Sequence, residues 1–464
     1  MSVRGRLRPL AVLLAGLRRA VPRRAVPRRA VPRQVVPRQA VPRRVAVTTA
    51  LAVVTLLAVS GCAASASGTG PSTGSSGSGS GSATAPAARH ASVRPAPAGD
   101  AFYRPPTPLP AGQPGDVLWS RRVDPPGRLR QLGVSTVQVL YLSTDALGRP
   151  TAVSGTVMLP HVDRATAPIV GFAVGTQGLG DQCAPSRAIA AGTEYEMSGI
   201  AEALGRGWAV AATDYEGLGT PGEHTYVVGR AEGPAVIDAV RAAIRLLGSG
   251  LSPSARVAYT GYSQGGGSAA WAGELSAKYA PELHLVGVAA GGVPADPAAL
   301  RASLDGTVYA GLALGAALGF DAAYPDLHLA DHLTPTGRAQ LVALGNACAA
   351  AMLSPLYQHV RIATYLTSDP LGGPAWKARF AQNTLGADPP RVPVLLYHGE
   401  ADTTVAFGQA ERLARTYCAR GAEVTWIAYP GQNHAGAAAA GRPSLFAFLA
   451  ARFAGAPASR SCPA

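Results

Sequence analysis

The sequence predicts an α/β fold, with a mainly parallel central sheet, helices on both faces, and a helical cap inserted late in the chain. Three observations lead there. Short apolar runs alternate with segments of helical periodicity. Most of those runs are apolar throughout, as strands buried on both faces must be, and parallel strands need crossover helices to join them. One interval of about a hundred residues breaks the alternation and reads as mostly helical, which places it over the sheet's C-terminal edge.

The first hundred residues stand apart from that pattern. Ala20–Arg44 repeats Ala-Val-Pro-Arg-Arg, with Gln in place of the second Arg twice. Proline at every fifth position removes helix donors, so no packed helix is expected. Val45–Ser60 is an apolar run that ends at Val59-Ser60-Gly61-Cys62. A basic region, a short apolar stretch, small residues and a cysteine make the pattern of a bacterial lipoprotein signal peptide. Residues 1–62 are therefore expected to direct export, with Cys62 lipidated and the product held at the cell envelope; a secretory signal with an incidental cysteine is the alternative. At about sixteen residues the run is short for a membrane span. Residues 63–100 are rich in Ser, Gly, Ala, Thr and Pro, the composition of a flexible tether. The folded domain is expected over residues 101–464.

Charge excludes one class of partner. The formal net charge is +14, yet 13 arginines and no acid lie between Met1 and Arg44, leaving 28 basic against 27 acidic residues in the rest. The folded part is near neutral and has no electrostatic footprint for nucleic acid.

Within the folded part, Val134–Ser143 and Thr151–Leu159 read as an antiparallel hairpin. The buried strands are Ile169–Val174, Trp208–Thr213, Val257–Thr260, Leu285–Ala290, Val392–Tyr397 and Val424–Tyr429. Helices are expected over Ser198–Arg206, Ala231–Leu247, Gly266–Tyr279, Gln409–Arg420 and Pro443–Ala454. The insertion spans about 297–385 and includes helical stretches at Asp305–Ala317 and Pro335–Met352.

The chemistry centres on Gly261-Tyr262-Ser263-Gln264-Gly265, which fits the G-x-S-x-G turn that lifts a serine between a strand and a helix. The motif alone is weak in a chain with 55 glycines. Its context is stronger: a buried strand precedes it, a helix of small residues follows, and Gly261, Gly265, Gly266 and Gly267 supply the lack of bulk so tight a turn demands. A serine hydroxyl needs a general base, and the base needs an orienting carboxylate, in the chain order Ser, acid, His. Asp402 follows the strand Val392–Tyr397 and His434 follows Val424–Tyr429. Glu400 competes for the acid's role, His398 reads as support for its own loop, and His224 is the rival histidine. Two backbone donors must receive the developing oxyanion. One is the N–H of Gln264; the other lies in the glycine-rich loop Gly175–Asp181, at Thr176 or Gln177. No metal-ligand spacing, phosphate loop or dinucleotide loop is present, so no cofactor or metal is expected.

At this point the residues carry a resemblance. Gly175-Thr176, Cys183-Ala-Pro-Ser186, Thr213-Asp-Tyr-Glu-Gly-Leu-Gly-Thr-Pro221, the Gly-Tyr-Ser-Gln-Gly turn and Asn346-Ala-Cys348 together resemble the secretory lipase family, of the fungal lipase A type and its actinobacterial members. The resemblance covers roughly Ala101 to Cys462. It implies an α/β-hydrolase fold with a helical cap, activity on triacylglycerols and other carboxylic esters, and Ser263, Asp402 and His434 as the triad. It also implies an oxyanion hole of Gln264 and the Thr176–Gln177 turn, and an architectural role for Asp214–Gly217. Besides Cys62 there are four cysteines, Cys183, Cys348, Cys418 and Cys462, which an exported chain can pair in three ways. The resemblance favours Cys183–Cys348 and Cys418–Cys462.

The expected activity is hydrolysis of lipid or small esters by an exported monomer. Acyl transfer to an envelope alcohol uses the same residues. An envelope binding protein on a hydrolase scaffold would use none of their chemistry.

Overall fold

Nine strands form one sheet: β1 (Val117–Val123), β2 (Ser135–Thr144), β3 (Pro150–Leu159), β4 (Ile169–Ala173), β5 (Ala209–Thr213), β6 (Arg256–Tyr262), β7 (His284–Gly291), β8 (Val394–Gly399) and β9 (Val424–Tyr429). Their spatial order is β1-β2-β3-β5-β4-β6-β7-β8-β9. The pairings from β1 through β3 to β5 are antiparallel, and the five from β5 to β9 are parallel. This computed structural model describes residues Pro95–Pro463. The basic repeat, the apolar run, Cys62 and residues 63–94 of the expected tether lie outside the described residues. The fold begins ahead of Ala101, because Ala96 packs with buried Phe102 and Tyr103.

The chain leaves β4 toward β5 and returns on the other side as β6. That reversal opens a crevice at the C-terminal ends of β4 and β6, where open α/β sheets bind ligands. The central strands are largely apolar because both faces are covered. The helices are α1 (Arg128–Gln131), α2 (Pro185–Ala191), α3 (Met197–Gly205), α4 (Gly229–Arg245), α5 (Gln264–Tyr279), α6 (Pro297–Leu304), α7 (Ala310–Ala323), α8 (Pro335–Gly345), α9 (Ala349–Met352), α10 (Pro374–Gln382), α11 (Phe407–Ala419) and α12 (His434–Phe453). Alternation along the strands assigns the faces. Gly171 on β4 looks toward Val240 of α4, whereas the next residue, Phe172, lies against Gly199 of α3. Gly287 on β7 faces Arg452 of α12, and Val288 faces Gly273 of α5. So α4 and α5 cover one face, and α3 and α12 the other.

Five helices, α6 to α10, lie between β7 and β8. Phe320, Tyr324, Leu344, Trp376 and Phe380 give them a core of their own, which continues into Leu179 and Tyr226 from the loops after β4 and β5. The sequence reading missed α6, although Asp296 caps it by accepting from the N–H groups of Ala298 and Ala299. The stretch read as one helix, Pro335–Met352, is two. Ala349 N–H donates to Gln177 O at 2.7 Å and Leu179 N–H to Ala347 O at 2.8 Å, so the backbone around Cys348 pairs with the loop after β4 instead of continuing the helix. Both disulfides are the pairs the resemblance implied: Cys183–Cys348 with Cα atoms 5.5 Å apart, and Cys418–Cys462 at 6.2 Å.

Candidate active site

A single residue, Ser263, separates the end of β6 from the start of α5. It turns the chain at φ 60° and ψ −124°, a conformation that costs a residue with a Cβ about 1–3 kcal/mol. The glycines explain how the turn closes. A Cβ on Gly261 would stand 2.3 Å from the carbonyl oxygen of Gly265, and one on Gly265 would stand 2.0 Å from that of Ala173. Both obstacles are backbone atoms with no freedom to move aside. Gly266 is confined likewise by Gly291, whereas Gly267 meets only the Pro294 ring at 3.3 Å. Ser263 N–H donates to Gly291 O at 3.0 Å, which fixes the turn against β7.

His434 is the first residue of α12, nine residues ahead of the start expected at Pro443. Asn433 caps the helix by accepting from Gly436 N–H at 2.9 Å. Pro443 sits inside the helix on its exposed side, so water can satisfy the carbonyl that the proline cannot bond. His434 Nδ1 lies 2.6 Å from Asp402 Oδ2. The other oxygen, Oδ1, accepts the N–H groups of Thr404 and Val405, each at 2.9 Å. His398 is buried beside them, with Nε2 at 3.0 Å from Asp402 Oδ2 and 2.8 Å from Val405 O. A carbonyl only accepts, so Nε2 carries the proton and His398 is a second donor to the carboxylate. Burial pushes Asp402 up, but the hydrogen bonds from His398, His434 and Val405 outweigh it and hold the group well below the usual carboxylate range. Glu400, the rival acid, is exposed and makes no hydrogen bond to His434.

Ser263 and His434 line one cavity of about 610 Å³, together with Thr176, Tyr262 and Glu196. Thr176 faces this space, and its hydroxyl bonds Tyr226 OH at 2.8 Å. Gln177 turns away: its side chain donates to Glu194 at 3.1 Å and its carbonyl pairs with Ala349. Among the described residues, the backbone N–H groups of Thr176, Gln177 and Gln264 have no protein acceptor. Glu196 accepts Gly175 N–H at 2.6 Å, and burial pushes its carboxyl up to about 8.

Beneath Gln264 lies a polar network. Its side-chain Nε2 donates to Glu232 Oε1 at 2.7 Å and faces His224 Nε2 at 3.2 Å. His224 Nδ1 meets the Glu216 carbonyl at 2.9 Å, so Nδ1 carries the proton and Nε2 accepts from Gln264. Burial lowers His224 to about 4, which keeps the ring neutral. Glu232 also accepts Val227 N–H at 2.8 Å and Ser268 Oγ at 2.7 Å. Val227 has φ 55°, a conformation a β-branched residue holds only under constraint. The rival histidine, His224, is thus a support under the residue after Ser263. Sequence reasoning missed Glu232, Glu194 and Glu196; an acid inside the small, apolar first turns of α4 was the signal for Glu232.

The network yields a prediction. Glu232→Ala should lower kcat about tenfold or more with little change in KM, because it frees Gln264, the residue after Ser263 whose N–H is expected to receive the oxyanion. Glu232→Gln should restore most of the loss. Burial holds Glu232 up at about 7, above its ordinary 4.5. The neutral carboxyl therefore contributes stability that is complete below 4.5 and lost as pH rises through 7. Between about pH 5 and pH 8 the denaturation midpoint should fall in wild type and fall less in Glu232→Gln. Parallel profiles would contradict the assignment.

Residues 183–461 match the family model for secretory lipases. The chain belongs to the secretory lipase family. A secreted triacylglycerol lipase of Malassezia globosa is 31% identical over 78% of this chain and 81% of that protein. A probable inactive lipase of Mycobacterium tuberculosis is also 31% identical, over 79% of this chain and 84% of that protein. The crystal structure of Candida antarctica lipase A superposes with a TM-score of 0.72 at 25% identity, covering 78% of this chain and 87% of that one. The α/β-hydrolase fold of the secretory lipases is therefore the fold of this chain.

Proposed function

We propose that this secretory lipase hydrolyses carboxylic esters of lipids by a Ser263–His434–Asp402 triad through an acyl-enzyme. The observation that carries the reading is the 2.6 Å contact between His434 Nδ1 and Asp402, with Ser263 raised on its turn into the same cavity. With Nδ1–H committed to the carboxylate, Nε2 is left as the free base. Ser263 Oγ attacks the acyl carbon while Nε2 takes its proton. The oxyanion is received by the N–H groups of Gln264 and Thr176; Thr176 lines the cavity with Ser263 and Gln177 does not, which supports Thr176 over its neighbour. His434 then protonates the leaving alkoxide, and water, activated the same way, releases the acid. Asp402 keeps the tautomer and balances the imidazolium; its low proton affinity keeps it ionised throughout.

The secreted relatives support export of this chain. Attachment through a lipidated Cys62 is proposed from the sequence alone, and the intact mass of the mature protein checks it.

The mycobacterial relative named as probably inactive makes a silent scaffold the competing reading. A fluorophosphonate probe separates the two. The expected result is a single adduct, mapped by peptide mass spectrometry to Ser263. An unlabelled chain overturns the proposal.

A further inference from the structure

The cavity at Ser263 extends well beyond the reacting residues. It continues as a trough between α3 and α12, walled by Phe172, Thr260 and Tyr397 and reaching Arg442, Leu445 and Phe446. The trough exists because the facing helices carry little bulk there. Gly199 of α3 leaves room above the Phe172 ring, where a Cβ would sit at 3.5 Å. From α12 come Ala435, Ala438 and Ala439. The eight steps from His434 to Arg442 advance about 12 Å along the helix, the length of an extended chain of about ten carbons.

A polar bridge crosses the far end. Arg442 Nε donates to Glu202 Oε2 at 3.0 Å, and one terminal nitrogen donates to Ser198 Oγ at 2.8 Å. The other terminal nitrogen donates to the Ser198 carbonyl. Glu202 is held from its other side by Arg206 at 2.9 Å. An aliphatic chain that went deeper would have to strip water from this ion pair or break it, while every carbon before it gains apolar contact. Apolar walls with a charged stop make a length gauge.

We propose that the trough is the subsite for one unbranched aliphatic arm of the ester, and that the Arg442 bridge sets the longest arm accepted without penalty. The inference rests on Ser263 being the nucleophile. It differs from that assignment in resting on α3 and α12, which carry neither Ser263 nor Asp402 and share with the proposed triad only His434, the first residue of α12.

The test uses p-nitrophenyl esters from acetate to palmitate with wild type, Ala438→Leu, Ala439→Phe and Arg442→Ala. Each kcat/KM is divided by the acetate value of the same enzyme, with sites counted by the p-nitrophenol burst. Ala439 is exposed and Ala438 half-buried, so larger side chains fill the trough without entering the core. The decanoate-to-acetate ratio should fall about tenfold or more in Ala439→Phe, and in the same direction in Ala438→Leu. In Arg442→Ala the palmitate-to-decanoate ratio should rise about threefold or more. A parallel series of acetate esters with lengthening alcohols identifies the arm: a response there places the alcohol in the trough, and a response in the first series places the acyl chain. Identical profiles for all four enzymes in both series overturn the proposal. A wild type that hydrolyses no ester and takes no fluorophosphonate overturns the nucleophile assignment instead.

Discussion

Ser263→Ala should reduce ester hydrolysis by on the order of 10³-fold or more, and by as much as about 10⁶-fold if the site behaves as a cooperating unit. The loss should appear in kcat, because the cavity walls that hold the substrate are untouched. Folding should survive, and stability should rise slightly. Alanine keeps the φ 60° turn at similar strain and removes a hydroxyl that makes no hydrogen bond to β7 or to the helix. Circular dichroism and a thermal midpoint at or above wild type, combined with lost turnover on p-nitrophenyl esters, make up the expected pair of results. Activity retained within tenfold would remove Ser263 from the mechanism.

The second large effect is expected at Asp402→Asn, with a fall in kcat on the order of 10⁴-fold, the scale seen when a triad carboxylate loses its charge but keeps its shape. Geometry says why so small a change costs so much. Two backbone N–H groups, from Thr404 and Val405, bond Oδ1, so the amide oxygen of asparagine must take that place. The amide NH₂ is then forced to the position of Oδ2, facing His434 Nδ1 and His398 Nε2. Two donors cannot bond each other, so His434 moves its proton to Nε2 and can no longer take one from Ser263. His398 is driven off the same position but keeps the Val405 carbonyl, so the loop should hold. Steady-state kinetics together with an NMR reading of the His434 tautomer would check this; wild-type kcat in the variant would sink it.

The parts of the fold that were legible in sequence were those set by local chemistry. Runs such as Ile169–Ala173 and Val394–Tyr397 are apolar throughout because both faces are covered, and no charged residue interrupts them. β1 was missed for the opposite reason. Val117–Val123 carries Arg121 and Arg122 and is the edge of the sheet, so only its pairing with β2 makes it a strand. The start of α12 was obscured because Pro443 has the look of a first-turn proline, while the real signal was the cap at Asn433. The split between α8 and α9 depends on pairing with a loop some 165 residues away along the disulfide, which no local window contains. Ser263, Asp402 and His434 could be named as candidates because each follows a readable strand. Glu232 could not, since its role depends on which side chain it meets across two helices.

Cys183–Cys348 has a consequence for where this protein can work. The bond sits beside the backbone pairs that join Leu179 and Gln177 to Ala347 and Ala349, so it staples one corner of the helical insertion to the loop bearing Thr176. In a reducing cytoplasm that staple is absent, and the loop is left with its backbone hydrogen bonds and the burial of Leu179 to hold it against a segment 165 residues away. If Thr176 receives the oxyanion as proposed, a chain not yet oxidised would carry the proposed triad with a less rigid receiver beside it. Formation of this bond would then be part of assembling the site, and the family's secretion would set where that assembly occurs.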